Sequence, residues 1–390
     1  RKRITSPLMK KDGKLEPVTW EEALMAVADT LKPLAHQKDG VAAIASTRLP
    51  AETLNAFKSL FADKFESDLV TSVEEGMPTA ATSQFAVKQG AFEGKLDMLK
   101  SADTVLCIGA NVSRTHMVAG FLFKRNLPKG TRLINVDPEE TALDDLASLR
   151  LKNQPGSDLA LITGLQAIIV KEGLGRSPLA ITNADAAIEQ AVRQTGVSLE
   201  QLGQAARILA NSITPVILFG KGITAQRDEC LVEELYKLAV LVGAVDSERS
   251  GLLSIKGEAN SLAAALLGMD AVFELNGHKA VYVALGDDYI SKSLVERASK
   301  APYLVVQASY ESKLTEQADV VLPVTVWAEQ QGHYLNLDGR LQKSEQALSA
   351  PELVRDNQAV LHELAMRMNM SLDTNWQQAI RSGCSSVSLN

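Results

Sequence analysis

Short, unbroken apolar runs alternate with amphipathic stretches along most of the chain, and this alternation predicts the architecture. The runs Gly40 to Ser46, Asp103 to Gly109, Thr131 to Asp137, Val216 to Gly220, Ala280 to Gly286, Tyr303 to Gln307 and Val320 to Leu322 read as buried strands. Helical patterns lie between them. A capping box at Thr19-Trp20-Glu21-Glu22 opens one that continues to about Leu34. Others run from about Ala51 to Phe65, Val118 to Asn126 and Glu229 to Val242, and from Gly286 toward Lys300. Strand, small-residue turn and helix recur in that order, which predicts an α/β chain with right-handed crossovers and doubly wound parallel sheets. Ligands of such sheets bind outside the carboxyl ends of the strands, where backbone amides and helix N-termini face an anion.

The length of 390 residues exceeds one simple core and predicts two or three packed units. Glu172 to Ala184, with its Gly, Pro and Asn, reads as an exposed connection. Hydrophobic residues make up 46% and charged residues 22%, the balance of an ordinary globular protein. The net charge of −7 is interspersed, which argues against a nucleic-acid partner. Arg1-Lys2-Arg3 with Lys10-Lys11 is too small a basic cluster to change that, and reads as a solvated terminus. No apolar run approaches the roughly 20 residues that span a bilayer. Leu231 to Val245 carries Glu and Lys at helical spacing and reads as a buried helix. The start shows no charged-then-apolar leader, and the first residue is Arg, so a natural chain beginning further upstream is expected.

Cys107, Cys230 and Cys384 share no short ligand spacing, which argues against a disulfide scaffold and against an iron–sulfur cluster within this chain. A reducing cytoplasm fits, and Cys107 reads as a buried, inert thiol. The histidines His36, His116, His278, His333 and His362 have no zinc spacing, and no Ser stands in a nucleophile elbow. His116, near a helix start, reads as a satisfied surface or cap residue.

Three strand ends carry candidate chemistry. Gly109-Ala110-Asn111 follows one strand and Asp137-Pro138-Glu139 ends its neighbour; small residues allow a close approach and the aspartate can accept from ribose hydroxyls. The full G-x-G-x-x-G fingerprint is absent, so a nucleotide site and a plain strand–turn–helix both remain open. In Pro155-Gly156-Ser157-Asp158, the aspartate suits the paired N–H donors of a guanine edge, and Ser157 or Asp158 equally suits a helix N-cap. Gly220-Lys221-Gly222 lacks P-loop spacing; Lys221 either faces an anion or is solvated.

In order and wording these motifs resemble the molybdopterin oxidoreductase family. The resemblance begins at Arg3-Ile4-Thr5-Ser6-Pro7-Leu8 and Val18-Thr19-Trp20-Glu21-Glu22-Ala23-Leu24. It continues through Ile108-Gly109-Ala110-Asn111, Asn135-Val136-Asp137-Pro138, Pro155-Gly156-Ser157-Asp158 and Phe219-Gly220-Lys221-Gly222-Ile223-Thr224. It closes with Ala318-Asp319-Val320-Val321-Leu322-Pro323, Glu329-Gln330-Gln331-Gly332 and Asn336-Leu337-Asp338-Gly339-Arg340. Formate dehydrogenase alpha chains, nitrate reductases and the large iron–sulfur subunit of complex I share this fold. The resemblance implies two doubly wound, Rossmann-like lobes: a discontinuous one at 16–72 plus 262–372 and a second at 73–261, with a leading segment 1–15 and a C-terminal tail 373–390. It implies that Gly109, Asn111, Asp137, Asp158, Gly220 and Gly222 would hold molybdopterin guanine dinucleotide if it is bound, with Asn111, Asp137 and Asp158 at the nucleotide ends and the two later glycines beside the pterin.

Catalytic members place Cys, selenocysteine or Ser on the metal. The matching stretch here, Ser72-Val73-Glu74-Glu75-Gly76-Met77-Pro78-Thr79, offers no thiolate, and Glu74 or Glu75 would be a hard oxygen substitute for a soft donor. The basic residue that orients formate in that family matches Lys256, a poorer bidentate clamp than arginine. Iron–sulfur clusters are expected in a domain upstream of Arg1. Two readings follow. One is a non-catalytic scaffold in an NADH-quinone oxidoreductase-like complex, partnered by iron–sulfur and NADH-oxidising subunits and cytoplasmic, or peripheral on the membrane through those partners. The other is a piece of a molybdenum or tungsten formate dehydrogenase catalytic subunit. A generic α/β nucleotide binder is the third.

Overall fold

A computed structural model describes residues 1–79, 82, 94–246 and 249–383. The chain divides into two compact units, one from Arg1–Gly76 with Gly257 onward, the other Met77–Lys256.

The first unit is built on a seven-stranded sheet. Its order is Lys14–Pro17, Leu8–Lys11, Val320–Pro323, Tyr303–Ala308, Ala280–Gly286, Val41–Ala45, Val70–Ser72. The last five are parallel, and the opening hairpin joins antiparallel at one edge through Leu8–Val321 and Met9–Val320. Every residue of Val41–Ala45 and Ala280–Gly286 is buried, which is why these strands read as continuous apolar runs. One face carries the helices Trp20–Leu31, Ala51–Lys58 and Asn357–Arg367. Thr19 accepts from the Glu22 N–H at 3.2 Å while Glu22 accepts from the Thr19 N–H at 2.8 Å, so the expected capping box forms. The helix expected to about Phe65 runs as α-helix to Lys58 and as a π-helical turn over Ser59–Lys64. Phe57, Phe61, Phe65 and Tyr282 meet there, with ring centroids 4.8 Å apart for Phe57–Phe61 and 5.0 Å for Phe61–Tyr282.

The second unit holds a five-stranded, wholly parallel sheet of order Leu149–Leu151, Arg132–Val136, Thr104–Ile108, Pro215–Phe219, Leu252–Ser254. The chain winds outward from Thr104–Ile108 to one edge, then returns to the other side of the same strand. The ends of Thr104–Ile108 and Pro215–Phe219 therefore flank a topological switch point. Asp158–Lys171 is buried among the helices Ala184–Thr195, Leu199–Ala210 and Glu229–Leu241. Gly164 permits the close approach of Ala191, because a Cβ there would overlap the alanine side chain.

Several expectations change. The leading segment 1–15 and the tail from 373 belong to the first unit: Leu8–Lys11 extends its sheet, and Trp376–Gly383 packs on Ala51–Lys58 and Ser261–Leu266. The divisions fall after Gly76 and Lys256, where 72 and 261 were expected, because Glu74 and Glu75 are tied by hydrogen bonds to residues of the first unit. The short edge strands Val70–Ser72, Leu149–Leu151 and Leu252–Ser254, and the helices Ala184–Thr195 and Leu199–Ala210, add to the elements read from the pattern. Glu172 to Ala184 is the irregular connection expected. Cys384 lies outside the described residues. No helix among the described residues is long and apolar enough to cross a membrane.

Phe61 is fully buried at the centre of the aromatic cluster. Phe61→Ala is expected to destabilise the first unit by about 3–5 kcal/mol. Denaturant unfolding followed by the fluorescence of Trp20, Trp327 and Trp376, all in that unit, measures the loss.

Candidate functional site

The switch point of the second unit closes on itself. Gly109 leaves its strand at φ +57° and its carbonyl accepts from the Gly222 N–H at 2.9 Å. A Cβ at Gly222 would stand 2.7 Å from Gly109 Cα, and one at Gly220 would stand 2.7 Å from Ala110 Cβ. These glycines thus have an internal reason to be glycine: two strand-end turns lie backbone against backbone. Asn111 follows, its carbonyl accepting from Arg114 N–H, Thr115 N–H and the Thr115 hydroxyl, each at 3.0 Å. Its side-chain Oδ1 is buried and meets no protein donor.

Two carboxylates approach from the neighbouring strands. Asp137 ends Arg132–Val136 and accepts from the Glu139 N–H at 2.9 Å. Burial pushes its carboxyl above the ordinary range, reinforced by the charges of Asp144, Glu139 and Asp158. Asp158 is the first helical residue after Ser157 and is buried. It accepts from Asn153 Nδ2 at 3.0 Å and from Gln226 Nε2 at 2.8 Å. Capping was the competing expectation here, and the structure corrects it. Neither side chain caps the helix: the Ser157 hydroxyl donates back to the Gln154 carbonyl at 2.6 Å, and Asp158 lies one position past the cap. Gln226 Nε2 also donates to the Gly222 carbonyl at 2.7 Å, linking the glycine turn to the Asp158 loop.

The other singled-out residues have simpler places. Burial, with a contribution from the Asp137 charge, pushes the Cys107 thiol up to about 12; the group is inert and donates to the Ala110 carbonyl at 3.2 Å. Lys221 is exposed, in keeping with a solvated lysine. His116 precedes the helix Met117–Lys124 without capping it; Nδ1 meets the Thr115 hydroxyl at 2.9 Å and Nε2 meets the Lys256 carbonyl. Lys256 itself is buried.

Glu74 and Glu75 belong to the first unit. Glu74 accepts from the Glu258 N–H at 2.7 Å and from the Ser261 hydroxyl at 2.5 Å, and its carboxylate fills the space a Cβ on Gly257 would need. Burial raises its pKa, and those hydrogen bonds oppose the rise. Glu75 holds Arg297 in a two-pronged pair at 2.7 and 2.8 Å and accepts from the Phe273 N–H at 3.0 Å. Its backbone is left-handed, φ +53°, a conformation costing about 1–2 kcal/mol that the arginine fork and the neighbouring turn hold in place. Both carboxylates are therefore bound up inside the fold. Among the described residues, no three His, Cys, Asp or Glu side chains form a group able to hold a metal ion.

Gly109, Asn111, Gly220, Gly222, Asp137 and Asp158 thus lie at the carboxyl ends of one sheet or in the turns and first helical turns that follow. Asn153 and Gln226 escaped the sequence reading, since Gln226 meets Asp158 from 68 positions away and no local pattern marks either amide.

A doubly wound parallel unit with glycine turns and carboxylates at its switch point is the class of fold that takes nucleotide-like ligands at strand ends. The chain belongs to the molybdopterin oxidoreductase family, whose model matches residues 3–367. It is 25% identical to the F420-dependent formate dehydrogenase 2 subunit alpha of Methanococcus maripaludis, covering 97% of this chain and 64% of that protein. Formate dehydrogenase H of Escherichia coli matches at 25% identity over 97% of this chain and 62% of its own length. The mitochondrial NADH-ubiquinone oxidoreductase 78 kDa subunit of Candida albicans matches at 24%, over 95% of this chain and 45% of that subunit. Among solved structures, acetylene hydratase from Pelobacter acetylenicus superposes with a TM-score of 0.72 at 18% identity, over 95% of this chain and 62% of that one, a likeness of fold. The chain spans less than two thirds of the length of these relatives.

Gly222→Ala is expected to destabilise the second unit by about 1–3 kcal/mol, because backbone rather than a flexible side chain opposes the new methyl; limited proteolysis of the variant against the parent reads the change. For Glu74, a raised folded pKa means that its contribution to stability is fully present below the ordinary glutamate value of about 4.3 and is lost as pH rises through the folded value. Glu74→Gln keeps an acceptor for the Glu258 N–H and removes that titration, so the variant's stability is expected to gain on wild type as pH rises from 4 to 8. Urea midpoints across that range measure it, and parallel curves for the two proteins would contradict the assignment.

Proposed function

We propose that this chain is the molybdopterin-fold region of a redox-complex subunit, acting as a scaffold beside electron carriers held by partner polypeptides. The observation that carries the proposal is the engagement of Glu74 and Glu75. They stand where the family resemblance puts the metal ligand, and every carboxylate oxygen there already accepts a hydrogen bond or ion pair from this chain. The donor set does not fit a resident molybdenum or tungsten ion: the two carboxylates are hard donors already bound up in internal bonds. The partners proposed are iron–sulfur and NADH-oxidising subunits on the cytoplasmic side of a membrane.

A second reading, part of a molybdenum or tungsten formate dehydrogenase alpha chain, draws on the second unit. The residues there fit the nucleotide end of molybdopterin guanine dinucleotide, since Asn111 Oδ1 and Asn153 Oδ1 are buried acceptors without protein donors, Asn153 in contact with Asp158, and Asp137 ends a strand of the same sheet. When bound, that group would supply the redox chemistry, and this chain's part would be to hold the purine and ribose.

Molybdenum and tungsten by mass spectrometry, with oxidised pterin by fluorescence, on the full-length parent protein decides between the readings. The scaffold proposal expects neither, with electron transfer intact and unaffected by Glu74→Gln. Near-stoichiometric metal with pterin would overturn it in favour of the formate dehydrogenase reading.

A further inference from the structure

The helix Met117–Lys124 is apolar on both of its sides. Ala119, Gly120 and Phe123 are buried, and the turns Leu96–Lys100 and Leu127–Lys129 pack beside the helix. The opposite side is as apolar and lies open: Met117, Val118 and Phe121 are 72%, 67% and 60% exposed. At about 100° per residue these positions share one face, and Arg125 falls among them. Its guanidinium lies over the Phe121 ring, 5.6 Å from the centroid. A helix apolar all round belongs in an interior, and here only one side has been given one. Large apolar residues exposed singly are ordinary, whereas three on one helical face form a patch.

Charge singles out the same segment. The protein carries a net charge of −7, yet no Asp or Glu stands between Asp103 and Asp137, and five basic residues do: Arg114, Lys124, Arg125, Lys129 and Arg132. Arg114, Arg125 and Lys129 are exposed, so the apolar face has a cation before it, on it and after it. Asp97, in the turn packed on the helix, is already paired with Lys100 at 2.7 Å. Such a rim is complementary to carboxylates on whatever covers the face. A second copy of this chain does not supply them, because a two-fold pairing of the helix with itself sets Arg114 against Arg125. An anionic membrane offers negative headgroups, but segments at that interface anchor with Trp and Tyr. Neither occurs between Asp103 and Asp137. Met, Phe and Arg are the residues enriched where proteins meet.

We propose that the outer face of Met117–Lys124 docks a partner polypeptide, which lays an amphipathic helix with carboxylates flanking its apolar stripe across Met117, Val118 and Phe121. Phe121 is the anchor, and the Arg125 fork over its ring takes a partner carboxylate. The inference rests on reading this chain as a subunit held among other polypeptides, and adds where on the second unit one of them attaches.

The experiment is zero-length carbodiimide cross-linking, which joins a lysine amine to a carboxylate it touches, on the full-length parent protein purified from its own cells. Lys124 or Lys129 is expected to join an Asp or Glu of a second kind of polypeptide. Phe121→Glu should lower the co-purified amount of that polypeptide about tenfold or more and remove the cross-link. Arg125→Glu, which keeps the apolar residues and reverses the charge, should also lower it. Ile213→Glu, at an exposed apolar position elsewhere in the same unit, should change neither. If no second polypeptide co-purifies with the wild type, the complex reading fails and the inference with it. A second polypeptide retained undiminished in both Phe121→Glu and Arg125→Glu would overturn the docking surface and leave the complex reading standing. Cross-links confined to the same polypeptide, or to another copy of it, would do the same. So would wild-type binding to phosphatidylglycerol vesicles that Phe121→Glu abolishes, with no cross-linked partner, since the face would then serve a membrane.

Discussion

Where Thr104–Ile108 and Pro215–Phe219 end, the backbone of Gly109 lies against that of Gly222, joined by a 2.9 Å hydrogen bond. No side chain larger than hydrogen fits between them, so the two turns hold each other in place. The arrangement of the switch point follows from that contact. It sets the direction of Lys221–Thr224, brings Gln226 back to the Gly222 carbonyl, and through Gln226 anchors the Asp158 carboxylate. The glycines that resemble ligand-approach residues in sequence are in the first instance residues of internal closure.

The two units treat their carboxylates differently. In the first, Glu74 and Glu75 are taken into the fold: one receives a backbone amide and a hydroxyl, the other an arginine fork and a backbone amide. Such groups are satisfied, and satisfied groups have little left to offer a ligand. In the second, Asp158 keeps free lone pairs, and Asn111 and Asn153 each keep an acceptor without a donor. The asymmetry separates two kinds of site in the chain: carboxylates taken up as structural ties, and a strand-end cradle with unmet hydrogen-bonding capacity. A scaffold in a redox complex is compatible with both, since holding a nucleotide and ligating a metal are separable tasks carried by different residues.

Much of the fold could be read from the chain because fully buried parallel strands leave an unmistakable mark. Val41–Ala45, Thr104–Ile108, Pro215–Phe219 and Ala280–Gly286 are buried at every position, so every position is apolar or small. Three-residue edge strands such as Leu149–Leu151 and Leu252–Ser254 are too short to show a period, and the pattern did not reveal them. The helix Leu199–Ala210 did carry a signal, a capping box of Ser198 and Gln201, that marks its start as clearly as Thr19 and Glu22 mark the first helix.

The sequence by itself determined the fold class, the family and the strand ends at which polar residues gather, because hydrophobic period, caps and ordered motifs are local properties of a chain. Tertiary structure alone decided what those polar residues do. Asp158 could have capped its own helix, a choice no local pattern resolves; it turns instead toward two amides, one of them 68 positions away. Glu74 and Glu75 could have faced a ligand, and their engagement depends on Ser261, Phe273 and Arg297, which reach them only because the chain leaves the first unit and returns. Hydrogen-bond partners distant in sequence are fixed by packing, and packing is where the difference between a tied carboxylate and an available one is made.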